Sequence, residues 1–244
     1  MTRSSGRRVL VTGASRGIGA AIARAVAADG GRVALLARPS TELDGLAAEL
    51  GAPAVGVDLA DEAAAGAAVH RACEELGGLD VLVNNAGVFP LGLVRDGDPA
   101  DWRAMLDLNV LGVLTVSRAA IPALLAGEHP QIVNIGSTAG RSVSHSIQGV
   151  YAATKHALVA LSDGLRLELA GDGVRVTLVS PGAVRTGGSG RIRDEALRGV
   201  LAKVQEAVGL DPAEVAEQVL HVLHAPSGVH VTELTVLSTR EQLG

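Results

Sequence analysis

Arg8-Val9-Leu10-Val11-Thr12-Gly13-Ala14-Ser15-Arg16-Gly17-Ile18-Gly19 passes from strand to glycine turn to helix within twelve residues. Arg8 to Thr12 is aliphatic in its middle, and Ala20-Ala21-Ile22-Ala23 after the turn begins an apolar helical pattern. Glycine has no Cβ, so the backbone of such a turn can approach a pyrophosphate. The N-terminus of the following helix then faces the negative charge with free N–H groups. A glycine-rich turn alone is weak evidence. Its place between the first strand and the first helix gives it weight, although the spacing is GxxxGxG rather than GxGxxG.

Outward from this turn, short aliphatic runs alternate with longer Ala/Leu-rich segments to the end of the chain. Strands are expected at 8–12, 32–37, 54–58, 79–84, 131–136, 174–180 and 233–237. Helices are expected near 18–29, 41–50, 61–76, 99–126, 149–170 and 212–224. The strands are apolar throughout instead of alternating, which suits a parallel sheet covered on both faces. The expected fold is α/β: a single doubly wound domain over 1–244 with a seven-stranded, mostly parallel sheet and helices on both faces. The glycine-rich stretch 182–210, with a short helical pattern inside it, is expected to be a mobile lid over a site at the strand ends.

Composition narrows the partners. Phe89, Trp102 and Tyr151 are the only aromatic residues, so Ala, Val, Leu and Ile must build the core. A formal net charge of −5 supplies no basic field for nucleic acid or an acidic membrane. Cys73 is the sole cysteine, which excludes an internal disulfide and points to a reducing compartment. The basic start is followed by a strand-like run, and no uncharged apolar run approaches the ~18 residues a membrane helix needs. A cytoplasmic protein is expected.

The second strand ends Leu36-Ala37-Arg38. An acid near this point would accept hydrogen bonds from the ribose hydroxyls of NAD. Ala37 stands in that place, and Arg38, with Arg16 in the turn, can instead clamp a 2′-phosphate. NADP(H) is therefore the expected cofactor. The plainer alternative is a pair of ordinary surface arginines.

Tyr151 is the chain's one tyrosine, and Lys155 follows at i+4 on a helical pattern, so both share one face. A nearby ammonium would lower the phenol's pKa from its usual ~10, against the upward push of burial. The plainer reading is a half-buried tyrosine beside a solvated lysine.

With these segments in view, the chain resembles the short-chain dehydrogenase/reductase family over essentially its whole length. Gly13, Ser15, Arg16, Gly17, Ile18 and Gly19 look like that family's cofactor turn. Asp58 and Leu59 fall where its members hold the adenine, and Asn84-Asn85-Ala86-Gly87 matches the segment after its fourth strand. Pro181, Gly182, Val184 and Thr186 match its nicotinamide turn. Asn109, Ser137, Tyr151 and Lys155 fall on its catalytic tetrad, with Tyr151 and Lys155 also touching the cofactor. The resemblance implies a Rossmann fold and an NADP-dependent oxidoreductase moving a hydride between nicotinamide and a small alcohol, ketone or aldehyde. It further implies a homotetramer or homodimer, and the apolar helices 99–126 and 149–170 suit a partner surface.

Two departures bear on the substrate. Ser137 precedes Tyr151 by fourteen residues, one more than is usual, with Ser142, Ser144 and Ser146 between. Ser137 remains the choice because the strand Ile132 to Gly136 delivers it at its carboxyl end. The ending Glu233-Leu234-Thr235-Val236-Leu237-Ser238-Thr239 is similar to a subgroup acting on small 3-hydroxy acids and aldehydes, with Ser238 for its proline. His145 and Gln148 are candidate substrate contacts, beside Ser137 and Tyr151. No metal site is expected: His221 and His224 share a helix face without a completing ligand set. The alternative function is a non-catalytic NADP-binding regulator or scaffold on the same fold.

Overall fold

A computed structural model describes residues 6–187 and 192–241. Its centre is one seven-stranded sheet: β1 (Arg8–Thr12), β2 (Arg32–Ala37), β3 (Ala54–Gly56), β4 (Val81–Asn84), β5 (Gln131–Ile135), β6 (Arg175–Pro181) and β7 (Glu233–Val236). The order is β3-β2-β1-β4-β5-β6-β7 and all six pairings are parallel. The expectation of a mostly parallel sheet thus becomes a wholly parallel one. Chain direction through the sheet reverses between β1 and β4, and a parallel doubly wound sheet opens its ligand crevice at such a switch point.

Unbroken apolar strands are explained by burial on both sides. Val9 and Val11 of β1, with Val33 and Leu35 of β2, join one core, while Leu10 and Leu36 join the other. Helices α1 (Gly17–Ala28), α2 (Thr41–Leu50) and α8 (Pro212–Leu223) cover the first face. The second is covered by α3 (Glu62–Leu76), α5 (Gly112–Leu125) and the end of α6 (Gly149–Glu168). Helix starts are capped by side chains: Ser40 accepts from Leu43 N–H, Asp61 from Ala64 N–H and Asp194 from Leu197 N–H.

The segment 99–126 is α4 (Pro99–Leu106) and α5 joined by a π-helical turn at Asp107–Leu111. By length and composition alone, Pro99–Leu125 passes for a membrane span, an 18-residue window within it having mean hydropathy 1.7. Val116, Ala120 and Leu124 instead pack into the core beside the sheet. Of the stretch 182–210 expected to form a lid, 188–191 lie outside the described residues, and the rest holds more structure than its glycines suggest. It contains α7 (Glu195–Val208), fourteen residues long, with none of its residues buried. Arg193, just before α7, reaches Asp98 at 2.9 Å and Asp101 at 3.0 Å, fastening this segment to the start of α4.

Candidate active site

The glycine turn takes its shape from the protein's own backbone. Gly13 sits at φ +64°, and a Cβ there would lie 2.8 Å from Ala86 Cα. Asn85 donates from Nδ2 to the carbonyl oxygens of Thr12 (2.9 Å) and Gly13 (3.2 Å), and Thr12 Oγ1 accepts from the amides of Asn85 and Ala86. Thus Asn85 and Ala86, just after β4, brace the turn. Gly17, at φ +57°, lies against Thr186 of the turn after β6.

Above this floor runs one cavity of about 1480 Å³. Of the residues singled out from sequence, Gly13, Ser15, Arg16, Gly17, Ile18, Arg38, Asp58, Leu59, Asn85, Ala86 and Gly87 line it, as do Ser137, His145, Gln148, Tyr151, Lys155, Pro181, Gly182, Val184 and Thr186. Two do not. Gly19 is buried beneath the turn, where a Cβ would collide with Gly13 O and Asn85 Nδ2. Asn109 is buried behind the wall in the π-helical turn. Its Oδ1 accepts from Val88 N–H at 2.9 Å, and its Nδ2 donates to Val88 O (2.9 Å) and Thr154 Oγ1 (3.1 Å). This interior polar residue sits at the middle of the π-helical turn, where the regular helical hydrogen-bond ladder is interrupted.

Ser137 caps a 3₁₀ turn at the end of β5, accepting from Ala139 N–H at 3.2 Å. Its hydroxyl lies within hydrogen-bonding reach of the Tyr151 phenol. Lys155 reaches the same place from one turn further along α6, with Nζ 5.9 Å from the Tyr151 ring centroid and donating to Ile135 O at 2.9 Å. Phe89 tilts against Tyr151, with 6.0 Å between ring centroids.

The electrostatics differ from the sequence expectation. Burial raises the Tyr151 pKa above 10.0, opposed by the Ser137 hydrogen bond. Burial also lowers Lys155 from 10.5 to about 8. Among the protein's own groups burial wins, because both side chains share a desolvated pocket and Lys155 spends a hydrogen bond on a backbone carbonyl. The phenol is left protonated at neutral pH.

Several lining residues escaped the sequence reading. Ser40 and Glu42 stand beside Arg16 and Arg38, and Glu42 carries a lowered pKa from its backbone and Ser40 hydrogen bonds, with a smaller contribution from Arg16. Glu241 reaches the turn after β6, where its carboxylate oxygens accept from Ala183 N–H at 3.0 and 3.1 Å. Gln148 Oε1 is buried without a hydrogen-bond partner among the described residues. Beneath the site, Asn84 donates to Ser117 (3.0 Å) and Asn134 (2.9 Å), and Asn134 donates to Ser162 (2.9 Å), a satisfied polar chain across the sheet. Contacts between distant strands and helices are what reveal the roles of Glu241, Ser117, Asn134 and Ser162.

A family model described as short chain dehydrogenase matches residues 7–197. Glycine betaine reductase of Emericella nidulans is 37% identical over 95% of this chain, which spans 19% of that longer protein. An uncharacterized oxidoreductase of Staphylococcus aureus is 34% identical over 97% of this chain and 99% of its own length. Among solved structures, a short chain dehydrogenase from Burkholderia cenocepacia in complex with NADP superposes with TM-score 0.85 at 37% identity, covering 96% of this chain and 98% of its own. An alcohol dehydrogenase from Thermococcus sibiricus complexed with 5-hydroxy-NADP gives TM-score 0.87 at 30% identity, over 98% of this chain and 100% of its own. The fold and these matches define an oxidoreductase built on a parallel dinucleotide-binding sheet. The chain belongs to the short-chain dehydrogenase family.

Proposed function

We propose that this protein is an NADP(H)-dependent oxidoreductase that interconverts a small alcohol with its ketone or aldehyde, using Tyr151 as general acid/base. The observation that carries the reading is the meeting of Tyr151, Ser137 and Lys155 in the same cavity as the glycine turn and the two arginines. The residues fit the cofactor: the turn offers close backbone approach for a pyrophosphate, and Ala37 leaves Arg16 and Arg38 to hold a 2′-phosphate. Two solved relatives, from Burkholderia and Thermococcus, carry NADP or its derivative.

Bound NADP(H) supplies or accepts the hydride at the substrate carbon. In the reducing direction, Tyr151 gives its phenolic proton to the carbonyl oxygen as the carbon receives that hydride, and the product is the neutral alcohol. Ser137 donates a hydrogen bond to the same oxygen and stabilises the charge developing there. Lys155 places a positive charge beside the tyrosine as the phenolate forms. Asn109 fixes Val88 and Thr154 and so holds the wall against which α6 is set. In the 182–210 stretch, α7 serves as a cover over the cavity. Exposed leucines on α4, α5 and α6, among them Leu106, Leu114 and Leu167, form a self-association face for a dimer or tetramer.

The test is Tyr151→Phe. With a carbonyl panel and NADPH absorbance as readout, turnover falls by roughly 10²–10⁴, while calorimetry shows NADPH binding retained. A variant keeping more than a tenth of wild-type turnover moves the proton transfer elsewhere. A wild type that binds NADPH yet turns over no carbonyl favours the non-catalytic alternative.

A further inference from the structure

Helix α7 has an apolar stripe that the protein does not cover. Leu197, Val200, Leu201, Val204 and Val208 follow the i, i+3, i+4, i+7 spacing of one helix face. An amphipathic helix in a folded domain normally buries such a face, yet none of these residues is buried, and Val200 and Val204 are 58% and 45% exposed. All five line the cavity that holds Ser137 and Tyr151. The stripe therefore faces the reaction site instead of the core. Phe89, Leu91 and Ile147 add further apolar lining to the same cavity.

Two charged groups at this end are committed, while Arg103 of α4 lines the cavity without an ion-pair partner among the described residues. Glu241 accepts from the Ala183 amide, and Arg193 is bound to Asp98 and Asp101. Arg240 is the cavity-lining cation nearest in sequence to that glutamate, and its Nη1 points to Ala207 O at 3.5 Å. From Leu197 to Val208 the stripe runs for about 16 Å at ~1.5 Å per residue, the length of an extended aliphatic chain and not of a two- or three-carbon acid.

Resting on the oxidoreductase reading above, we infer that the substrate is a neutral carbonyl compound, or its alcohol, carrying an aliphatic chain that lies along the α7 stripe. The reaction is unchanged: hydride to carbon, proton from Tyr151 to oxygen. The stripe sets which carbonyl is selected. Each methylene seated on it adds burial of about 0.8 kcal/mol, which corresponds to roughly fourfold in kcat/KM.

The experiment measures kcat/KM with NADPH for straight-chain aldehydes and 2-ketones of increasing length, alongside 3-oxo acids of matched length. The expected result is a rise of up to roughly fourfold per methylene and a lower value for each charged acid than for its neutral counterpart. Val204→Asn flattens the length dependence, whereas Lys203→Asn, at an exposed position off the stripe and outside the cavity lining, leaves it as in wild type. Circular dichroism of both variants confirms that the helix is intact. A flat length series with active turnover overturns the inference and leaves the oxidoreductase reading standing. A preference for the acids that is lost in Arg240→Gln also overturns it and makes Arg240 a carboxylate clamp. Absence of turnover with every carbonyl compound removes the underlying reading itself.

Discussion

Tyr151 and Lys155 show how much a single environment can change the chemistry of two side chains. The phenol is pushed above its ordinary pKa by burial, and the ammonium is pushed down to about 8 by the same cause. A tyrosine with a raised pKa remains a competent proton donor at neutral pH, so the pH limit on carbonyl reduction falls to Lys155. We expect kcat/KM for reduction, which reports the free enzyme, to decline above pH about 8. Lys155→Arg, whose guanidinium stays charged, shifts that decline to higher pH. An unshifted profile in the variant assigns the limb to another group. The same shift has a consequence for stability. The folded pKa of about 8 lies below the free value of 10.5, so between these values the unfolded chain binds more protons, and stability rises with pH. Below pH 8 the cost of the buried ammonium is fully present, on the order of 3 kcal/mol at ~1.36 kcal/mol per unit. Lys155→Met is therefore inactive yet more stable than wild type at pH 7, with the gap closing toward pH 10.5 in denaturant titrations. A less stable variant at pH 7 contradicts this account.

Among the elements, glycines divide into those the fold requires and those it merely tolerates. Gly13 combines φ +64° with a Cβ position 2.8 Å from Ala86 Cα, so Gly13→Ala strains the turn against the backbone after β4. We expect a clear loss of thermal stability as well as weakened cofactor binding. From sequence, Gly13 is expected to serve the turn's conformation or the approach of a phosphate; the contact with Ala86 adds a packing cost within the fold itself. Gly45, in the middle of α2, has nothing within 4 Å of its Cβ position. Gly45→Ala adds about 0.5–1 kcal/mol of stability through helix propensity, seen as a higher melting temperature, and a lower one refutes this reading of α2. The seven strands were legible because aliphatic runs buried on both faces carry a strong local signal. Helix α7 was only partly legible, because its apolar stripe faces a cavity and its flanks are glycine-rich. The π-helical turn, the Asn84–Asn134–Ser162 chain and Glu241's bond to Ala183 were not legible, since each depends on elements meeting across the sheet. Tyr151 and Lys155 were placed on one helix face from spacing alone, but their protonation balance required knowing how far water is excluded.

At the scale of the whole molecule, a chain with a net charge of −5 must bind a polyanion. Long-range attraction is absent, so selection for the 2′-phosphate has to be local. On the proposed reading this falls to Arg38 at the end of β2 and Arg16 in the turn after β1, which the parallel sheet brings to one cavity. Glu42, whose carboxylate feels Arg16, works against a phosphate at the same place. Replacing Ala37 with Asp and Arg38 with Gln removes one clamp and adds a second negative group. A charge-assisted hydrogen bond contributes about 1.5–3 kcal/mol, so the ratio of kcat/KM for NADPH over NADH should fall by roughly 10²-fold once like-charge repulsion is included. Salt supplies an independent check, because exposed arginines are screened beyond ~10 Å at 0.1 M ionic strength. Raising NaCl should weaken NADPH more than NADH in wild type, and this difference should shrink in the double variant. Wild-type preference for NADH would refute the arginine clamp. A preference for NADPH that survives both substitutions and keeps its salt dependence would transfer the contact to Arg16.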